Sequence, residues 1–389
     1  MKKKLDVLLV ARPDHSMQIY KALCNQEKIS FRYITFKVVP IFIKKIVPYK
    51  KLQAVTKNCI INVRATIIQV FKKTFYFKFA QKWETDNMLS ETVRNYIAKQ
   101  DCRVIHYWPE YASMAMNEFL EKNPNAIVLA DMYMPNPKAI IKEIEPIYKK
   151  YELDNGTNNW LFEYAEKIEE HFRYVKNIVV ASSYVRDTMM QSFPDKNYII
   201  VPYGITISPN YRKKGKKQRI TKFVYIGRVS VEKGCDILLG FFAENPQYEL
   251  HIYGGMWKQQ EKIFEQYFSA SNIYYHGTVS KEELRAEIVK CDVGIHLSRF
   301  DAYSLAVGEI IGCGLPVIVS DKTGIKDEVA DKGFGLVTSL DIENIRMSID
   351  TMIKLDFYER CIENIDRYIL SNPKTFGEMM VNEYNKFLE

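Results

Sequence analysis

Aspartate and glutamate are absent from residues 28–83, a stretch that carries thirteen lysines and arginines. The chain of 389 residues has a formal charge of +8, so the remainder is net acidic and the basicity is a local feature. No recognisable nucleic-acid module accompanies that charge, which sets nucleic acid aside as a partner. Long apolar runs are lacking too: none approaches the roughly 20 residues of a membrane-spanning helix. The start, Met1-Lys2-Lys3-Lys4, leads straight into the short apolar run 5–10, which contains Asp6 and argues against a signal peptide. Cysteine is scarce and scattered, seven residues with no Cys-x-x-Cys pair. That excludes a zinc site of paired cysteines and predicts reduced thiols in a cytoplasmic protein. Gly-x-Gly-x-x-Gly, Gly-Lys-Ser/Thr, Gly-x-Ser-x-Gly and His-Glu-x-x-His do not occur. Their absence removes the dinucleotide fingerprint, the phosphate loop, the serine-hydrolase elbow and the zinc-peptidase helix.

What is present is globular: 47% hydrophobic and 26% charged residues, over a length that suggests two domains. Apolar runs of strand length fall at 5–10, 31–36, 104–107, 126–130, 178–181 and 198–201, with helical spacing between them. Ser16 is placed to cap the first helix, Pro109 to start another, and Ser182 or Ser183 to enter a third. Residues 202–219 break the alternation with a Pro-Tyr-Gly turn and a polar, basic run, and mark a domain boundary. Strands resume at 223–227, 250–253, 273–276, 293–297, 316–319 and 335–337, and Ser280-Lys-Glu-Glu283 has the form of a capping box. Such alternation predicts two parallel sheets, each with helices on both faces. Residues 356–389 are helical in pattern and are broken by Pro373. Beyond it Phe376, Met380, Tyr384, Phe387 and Leu388 share one face.

Residues 292–324 organise the rest. The run 293–297 has strand character, 304–313 has helical spacing and stops at Gly314, and 315–319 is a second buried-type strand. The loop 298–303 therefore lies at the carboxyl end of a parallel strand, where open α/β sheets bind ligands. The next helix points its free N–H groups at the same place. Asp301 precedes that helix and Glu309 lies inside it, about two turns on.

This stretch resembles the nucleotide-sugar site of the retaining glycosyltransferases of family 4, glycosyl transferases group 1. That family has two glutamates separated by seven residues, then a Gly-x-Pro-Val-Ile strand. Here Asp301 and Glu309 are separated by seven residues and followed by Gly314-Leu-Pro-Val-Ile. The first carboxylate is one methylene shorter than the family's, and the usual Phe-Gly-Leu reads Tyr303-Ser304-Leu305. Gly227-Arg228, a spacer and Lys233-Gly234 also match, and Val201-Pro-Tyr-Gly204-Ile resembles the family's Pro-Asn-Gly-Val. The resemblance covers residues 160–340 and implies a GT-B fold, two Rossmann-like doubly wound domains facing a cleft. It implies an acceptor-side domain at 1–205, a nucleotide-sugar domain at 206–365, and a terminal helix, 366–389, that crosses back.

The resemblance further implies that Arg228 and Lys233, beside Gly227, hold the donor's diphosphate, Glu309 the ribose and Asp301 the sugar, with His276 either beside the nucleotide base or structural. The amides of Ser304, Leu305 and Ala306 can cup the distal phosphate, and Gly254 either lets the backbone approach the ligand or only turns the chain. Physics agrees on the cations. Charge grows on the departing phosphate, and fixed positive groups stabilise it selectively in the transition state. Two solvated charges beside a turn would have the same spacing, and an apolar setting, Val307-Gly-Glu-Ile-Ile, argues against an exposed Glu309. His296, inside a strand run, reads as a core histidine. Many relatives have a histidine after the fourth strand, where this chain has Asp131-Met-Tyr133. Asp131 either takes that role or caps a turn. Arg12, His15 and Ser16, after the first strand, replace the family's glycine-rich loop and can reach a phosphate or the acceptor.

The expected function is thus a retaining, metal-independent glycosyltransferase of hexosyltransferase type. Its donor is a UDP- or GDP-sugar and its acceptor a glycan or lipid-linked glycan in cell-surface polysaccharide or glycoconjugate synthesis. No cofactor or metal is expected, and no Asp-x-Asp is present. Two alternatives share the fold: a non-catalytic partner subunit that binds glycan or stabilises a transferase, and an epimerase. The segment 28–83, with Lys44-Lys45, Lys50-Lys51 and Lys72-Lys73 among apolar residues, is expected to touch the inner face of the membrane or an anionic acceptor.

Overall fold

The computed structural model describes residues 4–36, 38–40, 53–63, 66, 89–153, 159–212 and 218–389. Most of the basic segment, including its three lysine pairs, lies outside the described residues. No helix among those described is long and apolar enough to cross a membrane.

The near-continuous apolar runs become strands buried on both faces, as parallel sheets require. Val7, Leu8, Leu9 and Val10 in the first strand are fully buried. In chain order the first half holds β1 (Lys4–Val10), β2 (Phe31–Thr35), β3 (Val38–Pro40), β4 (Gln53–Val55), β5 (Cys59–Ile61), β6 (Asp101–Tyr107), β7 (Ile127–Met132), β8 (Asn177–Val180) and β9 (Asn197–Ile200). Seven of these form one parallel sheet in the order β5-β2-β1-β6-β7-β8-β9, while β3 pairs with β4. The second half holds β10 (Lys222–Ile226), β11 (Glu249–Tyr253), β12 (Ile273–Gly277), β13 (Val293–His296), β14 (Val317–Ser320) and β15 (Gly335–Thr338). They form a six-stranded parallel sheet, β12-β11-β10-β13-β14-β15.

Each sheet reverses strand order once near its middle, between β1 and β6 in the first and between β10 and β13 in the second. Loops leave in opposite directions at these points and open a crevice at the carboxyl ends. The two crevices hold the residues singled out above.

Three local readings change. The strands of three residues, β3, β4 and β5, were not foreseen, because so short a run carries no usable periodicity. Asp131 lies within β7, beside Val179 of β8, rather than after the strand. Ser16 is the first residue of the helix Ser16–Cys24 and caps no amide; its hydroxyl meets that of Tyr33 at 2.7 Å. Ser182 does cap the helix Ser183–Met190, accepting from the Val185 amide at 3.3 Å.

Two structures tie the halves together. Helix Pro137–Lys150 of the first half touches the second through Tyr148 on Glu232, Glu143 on Lys322, and, just beyond its end, Tyr151 on Asp236 at 3.2 Å. The last helix, Phe376–Leu388, opens with a complete Thr375–Glu378 capping box and returns to the first half. Gly377 lets its backbone press against Gln18, and the Tyr384 hydroxyl meets His106 Nδ1 at 2.7 Å. Phe376, Met380 and Tyr384 are fully buried there.

Candidate functional site

The second-half wall is built from three loops. Gly227 and Arg228 follow β10, Gly254 follows β11, and the segment from Leu297 to Ser304 follows β13. Gly254 (φ +147°) backs onto Gly227 so closely that a Cβ would overlap the Gly227 carbonyl. Gly234 (φ +68°) starts the helix Cys235–Glu244, and a Cβ there would overlap Leu297 O. The second of these contacts brings the loop that carries Lys233 onto the loop that carries Asp301.

Lys233 Nζ then meets Asp301 Oδ2 at 2.7 Å. His296 Nε2 lies 3.4 Å from the same oxygen and 3.3 Å from Ser304 Oγ, and the Tyr303 amide donates to Asp301 Oδ1 at 3.3 Å. Burial works to raise the Asp301 carboxyl, but Lys233 and His296 outweigh it and hold it well below the usual carboxylate range. Burial lowers the His296 pKa against the pull of Asp301. Ser304 stands in the left-handed region (φ +74°), an uncommon setting for a residue with a side chain. It is the N-cap of the helix Leu305–Gly312 without a side-chain cap bond, so the amides that open the helix stay available to a ligand.

Glu309, on that helix, accepts from Arg285 Nε at 3.1 Å. Arg285 comes from the helix Lys281–Ile288, and both side chains remain partly exposed. Arg228 is exposed, with its guanidinium 4.3 Å from the centre of the Trp257 ring. His276 stacks on Tyr253 at 4.4 Å, and its Nε2 lies 3.1 Å from His251 Nδ1. It belongs to a ladder of rings along β11 and β12.

The first-half wall differs. Asp131 is buried, 3.4 Å from His106 Nε2. Arg12 pairs with Asp14 at 2.9 Å. His15 stacks face to face on Tyr203 at 4.0 Å, and burial depresses its pKa. Ser16 points into the core. Arg12, Asp14 and His15, together with Trp108, Tyr111 and Tyr133, line a cavity of about 260 Å³ at the β1–β6 switch point.

The structure thus gathers Asp301, Lys233, Ser304, Leu305 and Glu309 in one place, with Gly227, Arg228 and Gly254 at its edge. It sets Arg12, His15 and Asp131 on the opposite side and Ser16 behind them. Arg285 was missed, because its contact with Glu309 spans 24 residues and has no local motif. His296 is indeed buried, yet its partners are Asp301 and Ser304. A histidine at a strand's carboxyl end was the signal.

With two such sheets and this crevice, the fold is that of the GT-B glycosyltransferases. Residues 207–367 match the family model described as glycosyl transferases group 1. The chain is similar to the O-antigen biosynthesis glycosyltransferase WbnH of Escherichia coli, 24% identical over 181 residues. That match covers 44% of this chain and 50% of WbnH, so the chain spans about half of the curated relative it matches. Among solved structures it is similar to the sucrose-phosphate synthase of Thermosynechococcus elongatus, with a TM-score of 0.65, 13% identity and 99% of each chain covered. It is also similar to Anabaena HepE in complex with UDP and glucose, with a TM-score of 0.60, 12% identity and 98% and 99% of the two chains covered.

Proposed function

We propose that this chain is a glycosyltransferase that moves a sugar from a UDP- or GDP-sugar to a hydroxyl of a glycan or lipid-linked acceptor in surface polysaccharide or glycoconjugate synthesis, with retention of configuration. The observation that carries this reading is the convergence of Lys233–Asp301 and Arg285–Glu309 on the opened start of helix Leu305–Gly312. Fixed cations, free amides and two carboxylates at one switch point suit a molecule with a diphosphate at its centre and hydroxyls at both ends.

In this reading Arg228 turns from Trp257 to the diphosphate, and Lys233 bridges it to Asp301. Glu309, acceptor-only when ionised, takes both ribose hydroxyls while Arg285 holds it in place. Asp301 takes hydroxyls of the sugar. As the bond from the anomeric carbon to the phosphate oxygen breaks, the acceptor oxygen bonds to that carbon on the same face. The acceptor's proton passes to the departing phosphate oxygen, so no separate base is needed. Arg228, Lys233 and the helix amides meet the growing charge, and the reading therefore calls for no metal ion. The acceptor lies against the first half, at the cavity beside Arg12 and His15. The basic segment brings the enzyme to the inner face of the membrane.

Thermal unfolding with UDP, GDP, ADP and NAD, on the wild type and Lys233→Ala, tests the donor site. A rise with one nucleoside diphosphate that is lost in the variant is expected. No rise with any of them would overturn the reading in favour of a partner subunit.

A further inference from the structure

Tyr203 stands where the two walls meet. It follows β9 in the segment that joins the sheets, and it is 7% exposed. Its ring is held on several sides. His15 of the first half stacks on it at 4.0 Å with the planes 7° apart. Tyr303, two residues beyond Asp301, meets it edge-on at 5.8 Å. Phe376, at the start of the last helix, meets it at 5.1 Å and 88°. These contacts hold the ring where the two halves meet.

That hydroxyl has no hydrogen-bond partner among the described residues. A buried hydroxyl without a partner is destabilising, and native structures rarely keep one without a reason. What surrounds it supplies the reason. Burial raises its pKa far above the ordinary phenol value, and the charges of Asp131 and Asp301, one from each wall, add to the shift. The Tyr107 hydroxyl is also unpaired, but burial alone shifts it and no charged neighbour contributes. Tyr203 differs in standing between the two walls, with the cavity-lining His15 on one side and Tyr303 of the Asp301 loop on another.

We propose that the Tyr203 hydroxyl hydrogen-bonds a hydroxyl of the sugar being transferred, and so positions that sugar between the Asp301 loop and the first half. The inference rests on the donor reading above. It adds what the carboxylates cannot provide. The Asp301 carboxylate only accepts, whereas a protonated phenol both donates and accepts. Because Tyr203 belongs to the joining segment and touches both halves, the contact forms only when the cleft holds a sugar.

Tyr203→Phe keeps the ring and its stacking and removes only the oxygen, with Tyr107→Phe as the control. Unfolding temperatures are measured for the wild type and both variants, ligand-free and with UDP, UDP-glucose, UDP-galactose, GDP and GDP-mannose. In the wild type a sugar nucleotide is expected to raise the temperature beyond its bare nucleotide. In Tyr203→Phe the bare-nucleotide rise is kept and that excess is lost. Hydrolysis of the same sugar nucleotide in Tyr203→Phe is expected to fall about 10- to 100-fold, the loss of one hydrogen bond to the reacting sugar. The ligand-free temperature stays equal to the wild type or rises, because an unpaired hydroxyl contributes nothing without sugar. An intact excess in Tyr203→Phe, the same loss in Tyr107→Phe, a lowered ligand-free temperature with normal turnover, or no excess for any sugar in the wild type would overturn the inference. If no bare nucleotide shifts the wild type, the donor reading itself fails and this inference falls with it.

Discussion

The two walls of the cleft solve different problems. In the second half, oppositely charged side chains meet across loops yet keep part of their surface open: Lys233 28%, Asp301 17%, Arg285 23% and Glu309 19%. In the first half the polar groups are mostly committed. Asp131 is buried against His106, Ser16 against Tyr33, and His15 against Tyr203. The exception is the open Arg12–Asp14 pair, which lines the cavity there together with His15, Trp108, Tyr111 and Tyr133. The second wall thus presents two ion pairs beside an opened helix start, and the first a small cavity of rings with one ion pair.

The contrast can be broken by experiment. Lys233→Ala should strike hardest. Loss of a preorganised cation on developing charge predicts a fall in turnover of about 10²–10³. Glu309→Gln should also lose orders of magnitude in activity, with unfolding curves near the wild type. Near-normal steady-state rates in both would undo the assignment of the charged wall.

Gly234→Ala comes next. The added Cβ meets Leu297 O in a left-handed backbone, and a loss of about 2–4 kcal/mol is expected in urea denaturation. A silent substitution would show that the two loops can separate. Arg285→Ala should raise the KM for the donor about 10- to 100-fold, the loss of a charge-assisted bond that holds Glu309. Its kcat should change little, and Arg285→Lys should recover part of the loss. On the first wall, Tyr384→Phe removes only the bond to His106 and should cost about 1 kcal/mol of stability. A large drop in turnover instead would mean that the last helix tunes Asp131 through His106.

The smallest expected effect is a pH dependence. The Asp301 carboxyl is depressed in the folded state, so the stability it adds is present above its unfolded pKa, about 3.9. It is lost as pH falls below that value towards the folded pKa. The stability difference between the wild type and Asp301→Asn should therefore be flat from pH 5 to 8 and shrink below pH 4. A difference that changes near neutrality would place the titration elsewhere in the network.

The sheet strands were legible wherever a run of four or more apolar residues stood between turn signals. Most boundaries moved by only a residue or two, from 31–36 to Phe31–Thr35 for instance, while the strand expected at 104–107 starts three residues earlier, at Asp101. The β3–β4 pair and β5 escaped because strands of three residues depend on a neighbour. Ser16 was misplaced because a serine before a helical run has the form of a cap. Tyr33, on β2, claimed its hydroxyl instead.

By itself the sequence determined the fold class and the charged loops of the second wall. Strand periodicity, turn glycines and a carboxylate pair astride a helix start are all local, and local order survives in a string of residues. Tertiary structure alone decided which side chains meet: Arg285 with Glu309, His296 with Asp301, Tyr384 with His106, and Tyr203 between the walls. Those contacts join residues from different strands and helices. Their energy comes from excluding water between surfaces that are far apart in the chain, and no spacing along the sequence encodes that.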